Sequence, residues 1–475
     1  MALLHTHSKV VKLIRHFFTP LLDSRYDKLS QLRSNTILDS KHYYFDFTAS
    51  GLAYKIINKR IESILPYYAN THSYIASNAA LMSGLYAEAK ESISYSIGLN
   101  KDFILIAGGS GASFSIKKFQ EIMGIYAPPR SLSHLQHLNK NLSSTPKLTL
   151  LQQLKDYDAH THTLNFPQII ISGFEHHSNE ISYRQGLCHI HKIAFDIEGL
   201  PDIKHLEEIL QKIKKENKHS TIIASLSAAS NVTGILTPLE SCIALLRRYG
   251  AIIALDMASS SAYMQVDCAD FDVAFLAPHK LLGGVGACGI LAIRKSLLDA
   301  QIPPSFAGGG VIKYANDTTH CFIDDIALRE EAGTPPILGL LYAALAYQLR
   351  NEIGLEWIKR RENILTQAFL YELQKIPAVS IYGDLSKERL GIVSFNIGSI
   401  SPLDLCALLS KKFGIQTRAG CSCAGPYGHY LIPDGSYEKK PMWLRVSIHY
   451  THTIKDIEYL IDAIKTCVKI LRGSF

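Results

Sequence analysis

From about residue 100 the chain repeats one pattern: a short unbroken apolar run rich in β-branched residues, then a longer amphipathic stretch. The runs lie at 103–106 (FILI), 169–172 (IIIS), 221–225 (TIIAS), 252–255 (IIAL) and 273–276 (VAFL). An unbroken apolar strand has both faces covered, which happens mainly in parallel sheets flanked by helices. Between two of the runs, Ile203, Leu206, Ile209, Leu210 and Ile213 recur at helical spacing and predict a helix with one buried stripe. The chain therefore reads as α/β with a mostly parallel sheet. The run GILAI from Gly289 suggests a further strand, paired after a hairpin.

Two stretches break the rhythm. Residues 126–167 carry Pro128-Pro129, a Ser/His/Asn/Lys-rich patch and little strand signal; we read them as an insertion, partly helical. Gly333-Thr334-Pro335-Pro336 marks a turn, beyond which long helical patterns precede IVSFNI (392–397), WLRVSI (443–448) and a last helix. That helix has Thr453 as its N-cap candidate and Ile457, Leu460, Ile461, Ile464 and Val468 on one stripe. The expected organisation is an N-terminal helical segment (1–40), a large domain (41–337) holding the insertion, and a smaller C-terminal α+β domain (338–475).

With 475 residues, 47% of them apolar and 19% charged, the chain can bury a large core, and disorder is excluded. The formal charge of +7 is spread along the chain, so no nucleic-acid partner is expected. No apolar run approaches the ~20 residues a membrane helix needs, so no membrane span is expected. Nine scattered cysteines fit a reducing, cytoplasmic setting better than a disulfide framework. The first 22 residues contain no acid and carry Lys9, Lys12 and Arg15 among apolar residues. We read them as a surface helix with one solvated face; an organelle-targeting segment is the alternative.

Three features could carry chemistry. Gly108-Gly109-Ser110-Gly111-Ala112-Ser113 joins a strand to an amphipathic stretch. Such a turn presents unpaired N–H groups and a helix N-terminus to a phosphate. A tight turn without a ligand is equally consistent with it. Asp256 ends a buried strand, where open α/β sheets bind ligands, although helix caps also sit there. Lys280, in Ala277-Pro278-His279-Lys280, follows at the end of the next strand, where burial could make its amine nucleophilic. Phosphate loop, acid and lysine, in that order, are the three partners pyridoxal 5'-phosphate requires.

At this point the sequence resembles the class V branch of fold-type I pyridoxal-phosphate enzymes, the group of cysteine desulfurases and selenocysteine lyases. The resemblance runs from about Tyr44 to Thr453 and follows six motifs in order. Phe45-Asp46-Phe47-Thr48-Ala49-Ser50 is similar to the family's opening strand. Glu175-His176-His177-Ser178-Asn179 resembles the segment whose first histidine stacks on the cofactor ring. Ser230-Asn231-Val232-Thr233-Gly234 resembles the loop whose asparagine reaches the cofactor's phenolic oxygen side. His279-Lys280 resembles the pair holding the cofactor-anchoring lysine, and Arg329-Glu330-Glu331-Ala332-Gly333-Thr334-Pro335 the segment whose threonine reaches the phosphate of the neighbouring subunit. Leu444-Arg445-Val446-Ser447 resembles the site where an arginine pairs with the substrate carboxylate. The resemblance thus implies Ser110, Gly111, Ala112, His176, Asn231, Asp256, His279, Lys280 and Thr334 at the cofactor. It implies Arg445, Arg418, Asn70 and His72 at an amino-acid substrate, and a homodimer.

Arg418-Ala419-Gly420-Cys421-Ser422-Cys423-Ala424-Gly425-Pro426 sets the subgroup. Desulfurases carry a mobile loop with a cysteine at the place of Cys423, whose thiolate takes the substrate sulfur as a persulfide. Arg418 could help it ionise. Two inert thiols are the plain alternative, and with no second Cys/His pair nearby no metal is expected. The resemblance implies catalysis by Lys280, Cys423 and His176, with L-cysteine as substrate, alanine as product and a sulfur-acceptor protein as partner. The alternatives are a class V aminotransferase, epimerase or lyase on another amino acid, or a non-catalytic protein that keeps the fold. Ser259 stands where desulfurases usually have glutamine, and Ala277-Pro278 where a phosphate-binding hydroxyl is common. Asp-x-Ala-Ser and Arg-x-Gly-Cys-x-Cys also resemble the desulfurase-like domain of molybdenum-cofactor sulfurases, whose extra C-terminal domain finds no room before residue 475.

Overall fold

The computed structural model describes residues 13–71, 75–136, 150–161, 164–433 and 439–473. The apolar runs form one seven-stranded sheet. Its strands are β1 (Phe103–Gly108), β2 (Gln168–Ile171), β3 (His189–Lys192), β4 (Ile222–Ser227), β5 (Ile252–Asp256), β6 (Val273–Leu276) and β7 (Gly289–Arg294). Their order across the sheet is β1-β7-β6-β5-β4-β2-β3. All run parallel except β7, which pairs antiparallel with both β1 and β6. The predicted extra strand is therefore present, but it returns through the long connection 277–288 that carries Lys280 rather than through a tight turn.

Strands β4, β5 and β6 are buried along almost every residue, as parallel strands covered on both faces must be. Several strands run past their apolar runs to Gly108, Ser227 and Asp256, because these polar or small residues still pair in the ladder. The chain continues from the carboxyl ends of β1, β2, β3 and β4 into helices α1 (Ala112–Ile122), α2 (His177–Arg184), α3 (Ile203–Glu216) and α4 (Leu239–Arg248), respectively. In α3, Leu206, Ile209, Leu210 and Ile213 are buried as the spacing predicts, and Asp202 caps the amides of Lys204 and His205.

A second, four-stranded antiparallel sheet forms in the C-terminal part. Its strands β8 (Val379–Ile381), β9 (Ile392–Ile397), β10 (Arg418–Gly420) and β11 (Trp443–Ser447) lie in the order β8-β9-β11-β10. Helices α5 (Leu355–Leu373) and α6 (Ile454–Arg472) share its separate apolar core, which also takes in Phe45 from the opening segment. Thr453 caps α6 through a reciprocal box with Asp456, a device worth about 1 kcal/mol. The helix Ile337–Ile353 packs into the first core instead, against the helix Ser77–Ser96.

The described part of the N-terminal segment is helical over 13–17 and over Lys28–Asn35, with Phe17, Leu21 and Leu32 buried against the first core; Lys9 and Lys12 lie outside the described residues. In the insertion, Pro129–Gln136 and Leu150–Thr161 are helical, while 137–149 and 162–163 fall outside the described residues. Buried Asp158 anchors the end of the insertion, accepting from the amides of Leu164, Asn165 and Phe166 and meeting His189 Nε2 at 3.0 Å. Among the described residues no helix is long and apolar enough to cross a membrane.

Candidate active site

The connections leaving β1, β2, β4, β5 and β6 converge at the carboxyl edge of the large sheet, where they meet β10, β11 and the Cys423 loop. They enclose a cavity of about 960 Å³. Of the residues expected from the sequence, Ser110, Gly111, Ala112, His176, Asn231, Asp256, His279, Lys280, Arg418, Cys423 and Arg445 all line it. Residues hundreds of positions apart meet there because parallel strands bring their ends to one edge.

Lys280 sits in a short 3-10 turn, Pro278–Lys280, directly after β6. The turn is braced by Gly51, whose N–H donates to the His279 carbonyl at 2.8 Å. A Cβ at residue 51 would lie 2.0 Å from the Leu281 carbonyl oxygen, so only glycine permits this approach. Desolvation, partly opposed by Asp256, pulls the Lys280 amine from 10.5 down to about 8. Burial conversely pushes the Asp256 carboxyl above its ordinary range, against the Ala258 N–H bond at 2.9 Å and the Lys280 charge. Because only the unprotonated amine is nucleophilic, labelling of Lys280 by a small aromatic aldehyde should rise as pH passes through about 8. Mass-spectrometric mapping of reduced adducts against pH measures this; a midpoint near 10.5 would contradict it.

His176 is the N-cap of α2, its Nδ1 accepting from the Ser178 amide at 3.1 Å. Burial, then the charge of Lys280, pushes it down to about 4, so it is a neutral ring with its other nitrogen toward the cavity. Behind it Glu175 accepts from Ser172 N and Oγ, Ser227 N and Oγ, and Asn179 Nδ2, at 2.6–3.3 Å. Burial still lifts Glu175 to about 7. This carboxyl ties the ends of β2 and β4 together and fixes the turn that presents His176. Nothing in a single sequence marks Glu175 for this task, since its donors come from separate segments.

Arg418 and Arg445 are register partners on β10 and β11, and both bind Asp46. Arg418 Nε lies 3.0 and 3.2 Å from its two oxygens, and Arg445 Nη2 lies 3.1 Å from Oδ1. Arg445 also donates to the Asn231 carbonyl at 2.9 Å. Its Nε, in a side chain only 3% exposed, has no partner. Asp46 lies in a motif the sequence singled out, yet its role emerges only from the fold, which lays the opening segment across the second sheet.

Cys421 to Ala424 form a tight turn closed by the Ala424 N–H to Cys421 carbonyl bond at 3.0 Å. Its central residues, Ser422 and Cys423, have φ of 53° and 55°. This left-handed pair is the conformation for which glycine and asparagine are normally chosen. Each such residue carries strain of about 1–3 kcal/mol. External bonds hold it: Asn231 Nδ2 donates to the Ser422 carbonyl at 2.7 Å and Trp443 Nε1 to Ser422 Oγ at 3.1 Å. Within this turn Cys423 is exposed. Asn231, expected at the cofactor, directs its amide to this turn and leaves Oδ1 buried without a partner.

Asn70 and Thr334 do not line the cavity; Asn70 Nδ2 donates to Thr334 Oγ1 at 3.2 Å in an exposed position. His72 lies outside the described residues. Ser259 lines the cavity and donates to the Ala229 carbonyl at 3.1 Å, so the side chain replacing the usual glutamine is directed to backbone.

The family described as Aminotransferase class-V matches residues 154–460. The chain belongs to the class-V aminotransferase family. A cysteine desulfurase of Pectobacterium atrosepticum is 29% identical over 311 residues, covering 64% of this chain and 71% of that protein. Among solved structures, the apo cysteine desulfurase of Thermococcus onnurineus superposes with a TM-score of 0.73 at 22% identity, covering 94% of this chain and 98% of that one. The Escherichia coli enzyme in its S-sulfonic acid form gives 0.70 at 20% identity, covering 94% and 100%. The architecture of this class-V chain is thus the fold-type I arrangement expected from the sequence.

The cavity of this class-V protein fits pyridoxal 5'-phosphate. A buried carboxyl at Asp256 suits a cationic ring nitrogen. The first amides of α1 face the cavity beside Gly111, where a Cβ would lie 3.3 Å from His279 Nε2; they suit a phosphate. Asn231 Oδ1 and Arg445 Nε are buried polar atoms still lacking partners.

Proposed function

We propose that this chain is a pyridoxal-phosphate-dependent cysteine desulfurase that moves sulfur from L-cysteine to Cys423 and releases alanine. The observation that carries the reading is that the Cys423 turn opens into the cavity that Lys280, Asp256 and Arg445 line. Lys280, Asp256, His176, Asn231, His279 and the Ser110–Ala112 turn would hold the cofactor. When bound, it supplies a sink for the electron pair left at a substrate Cα.

Arg445 offers Nε and the adjoining edge of its fork to the substrate carboxylate, a planar bidentate match. Asp46 fixes that fork and draws Arg418 alongside. Lys280 Nζ, with its lowered proton affinity, removes and returns the proton at Cα. Neutral His176 holds the plane of the bound ring. Cys423 Sγ, as thiolate, attacks the substrate sulfur; the substrate Cβ–S bond breaks and an S–S bond forms. One cysteine and one thiol thus become alanine and a persulfide, with no outside oxidant or reductant. An acceptor protein then takes the terminal sulfur.

We further propose a homodimer in which Thr334, with Asn70 beside it outside the cavity, serves the neighbouring subunit. We also propose a two-part organisation in which the helix Ile337–Ile353 stays with the larger part, and a reducing, cytoplasmic location consistent with nine free thiols. The test is a visible spectrum of the purified protein before and after L-cysteine, with product analysis. A cofactor band that shifts, with alanine formed, supports the reading. Keto acid or ammonia in place of alanine would assign an aminotransferase or lyase, and failure to bind pyridoxal phosphate at all would leave a non-catalytic fold.

A further inference from the structure

Beyond the residues expected from the sequence, one further residue bonds to the Cys423 turn besides Asn231 and Trp443. His177, the first residue of α2, donates its backbone N–H to the Cys423 carbonyl at 2.8 Å. Its ring returns to the same turn, Nε2 accepting the Gly425 N–H at 2.8 Å. The two bonds hold the chain directly after the cysteine side chain, one at its own carbonyl and one two residues later. The approach is close: a Cβ at residue 425 would lie 3.1 Å from His177 Nε2, a tight contact. An acceptor nitrogen requires a neutral ring, and burial lowers the proton affinity of His177. The charged groups nearest it are Glu180 and Arg184 on its own helix, which act in opposite senses.

We propose that His177 is a positioning residue for the sulfur-accepting thiol, holding the left-handed Cys423 turn against the cavity through Gly425. This rests on the desulfurase reading for its catalytic consequence, though not for its structural part. The preceding residue, His176, faces the cavity, so a single dipeptide at the start of α2 sets both the face on which a ring would lie and the place of the thiol. A histidine kept only for packing would be replaceable by any ring of its size. One kept as an acceptor requires a lone pair at the position of Nε2.

The experiment compares His177→Phe, His177→Leu and His177→Gln with the wild-type holoenzyme. Glutamine places an amide oxygen close to the position of Nε2; phenylalanine keeps bulk without an acceptor. Amide exchange at Gly425 is read by mass spectrometry or NMR, persulfide formation by single-turnover kinetics with L-cysteine, and cofactor binding by absorbance. The expected result for His177→Phe is Gly425 exchange faster by about 10-fold or more. Persulfide formation should slow by roughly 10- to 100-fold, the cost of ångström-scale misplacement of a reacting group, with the cofactor band intact. His177→Gln restores both. Unchanged exchange in His177→Phe, or a glutamine variant as impaired as the phenylalanine one, overturns the proposal. If His177→Phe does not fold, His177→Leu, smaller and equally without an acceptor, decides in its place: faster Gly425 exchange and slowed persulfide formation with a normal cofactor band uphold the proposal, and wild-type exchange or rates refute it. Should the wild type form no persulfide, the desulfurase reading fails alone, and Gly425 exchange still judges the clamp.

Discussion

Lys280→Ala is expected to give a folded protein that has lost the cofactor absorbance and releases no alanine from cysteine. The amine is held well below its ordinary proton affinity by desolvation, so deleting it removes an unfavourable charge from the site rather than a stabilising one. Stability should therefore hold while chemistry fails. The residue is assigned two tasks, covalent anchoring and movement of the Cα proton. Loss of the second alone is worth about 10²- to 10⁴-fold, so turnover should fall by at least about 10³-fold. Spectroscopy, thermal melting and alanine release on one preparation separate the cases. A variant that keeps the band and substantial turnover would remove Lys280 from the centre of the site.

Cys423→Ser should divide the reaction elsewhere. The substitution leaves Lys280, Asp256 and Arg445 untouched, so cysteine should still bind and still change the absorbance. Serine retains the size of the side chain and the turn, but its hydroxyl is a far poorer nucleophile toward sulfur than a thiolate. Alanine release should drop by about 100-fold, equivalent to about 2.7 kcal/mol of barrier. No sulfur should remain on the protein after rapid desalting. The parallel Cys421→Ser variant should retain persulfide formation, because Cys421 does not line the cavity. Equal activity in Cys423→Ser and wild type would leave an amino-acid-processing enzyme of the same fold with an incidental thiol.

The strands were readable because a sheet buried on both faces leaves continuous β-branched runs, and even β7 declared itself. Its reversal after β6 was implied by the expected hairpin, but the length of the connection 277–288 and the second antiparallel pairing with β1 were not, since both depend on what the chain does in space. Asp256 and Lys280 were readable at strand ends, whereas Asn231 and Arg445 were readable only through the motifs of the family resemblance. Asp46, Glu175 and His177 lay inside quoted motifs without visible tasks, because the partners that define those tasks are distant in sequence: two arginines for Asp46, Ser227 for Glu175 and the amide of Gly425 for His177. The turn at Ser422 and Cys423 was hidden for another reason. Neither residue advertises a positive φ, and only the bonds from Asn231, Trp443 and His177 sustain it. The stretch 126–167 was read as partly helical, and helices occupy Pro129–Gln136 and Leu150–Thr161 among its described residues.

The pairing of Arg418 with Arg445 across β10 and β11 turns the short stretch from Arg418 to Cys423 into a ruler. One end is fixed by the ladder and by Asp46, the other by the turn. A single inserted residue would displace the thiol by about 3.4 Å and reverse the side on which each following residue points. Chains sharing this architecture can thus tolerate changes in side chains within the ruler more readily than changes in its length. Altering that length is a direct way to disconnect amino-acid binding from sulfur capture without touching either chemical group.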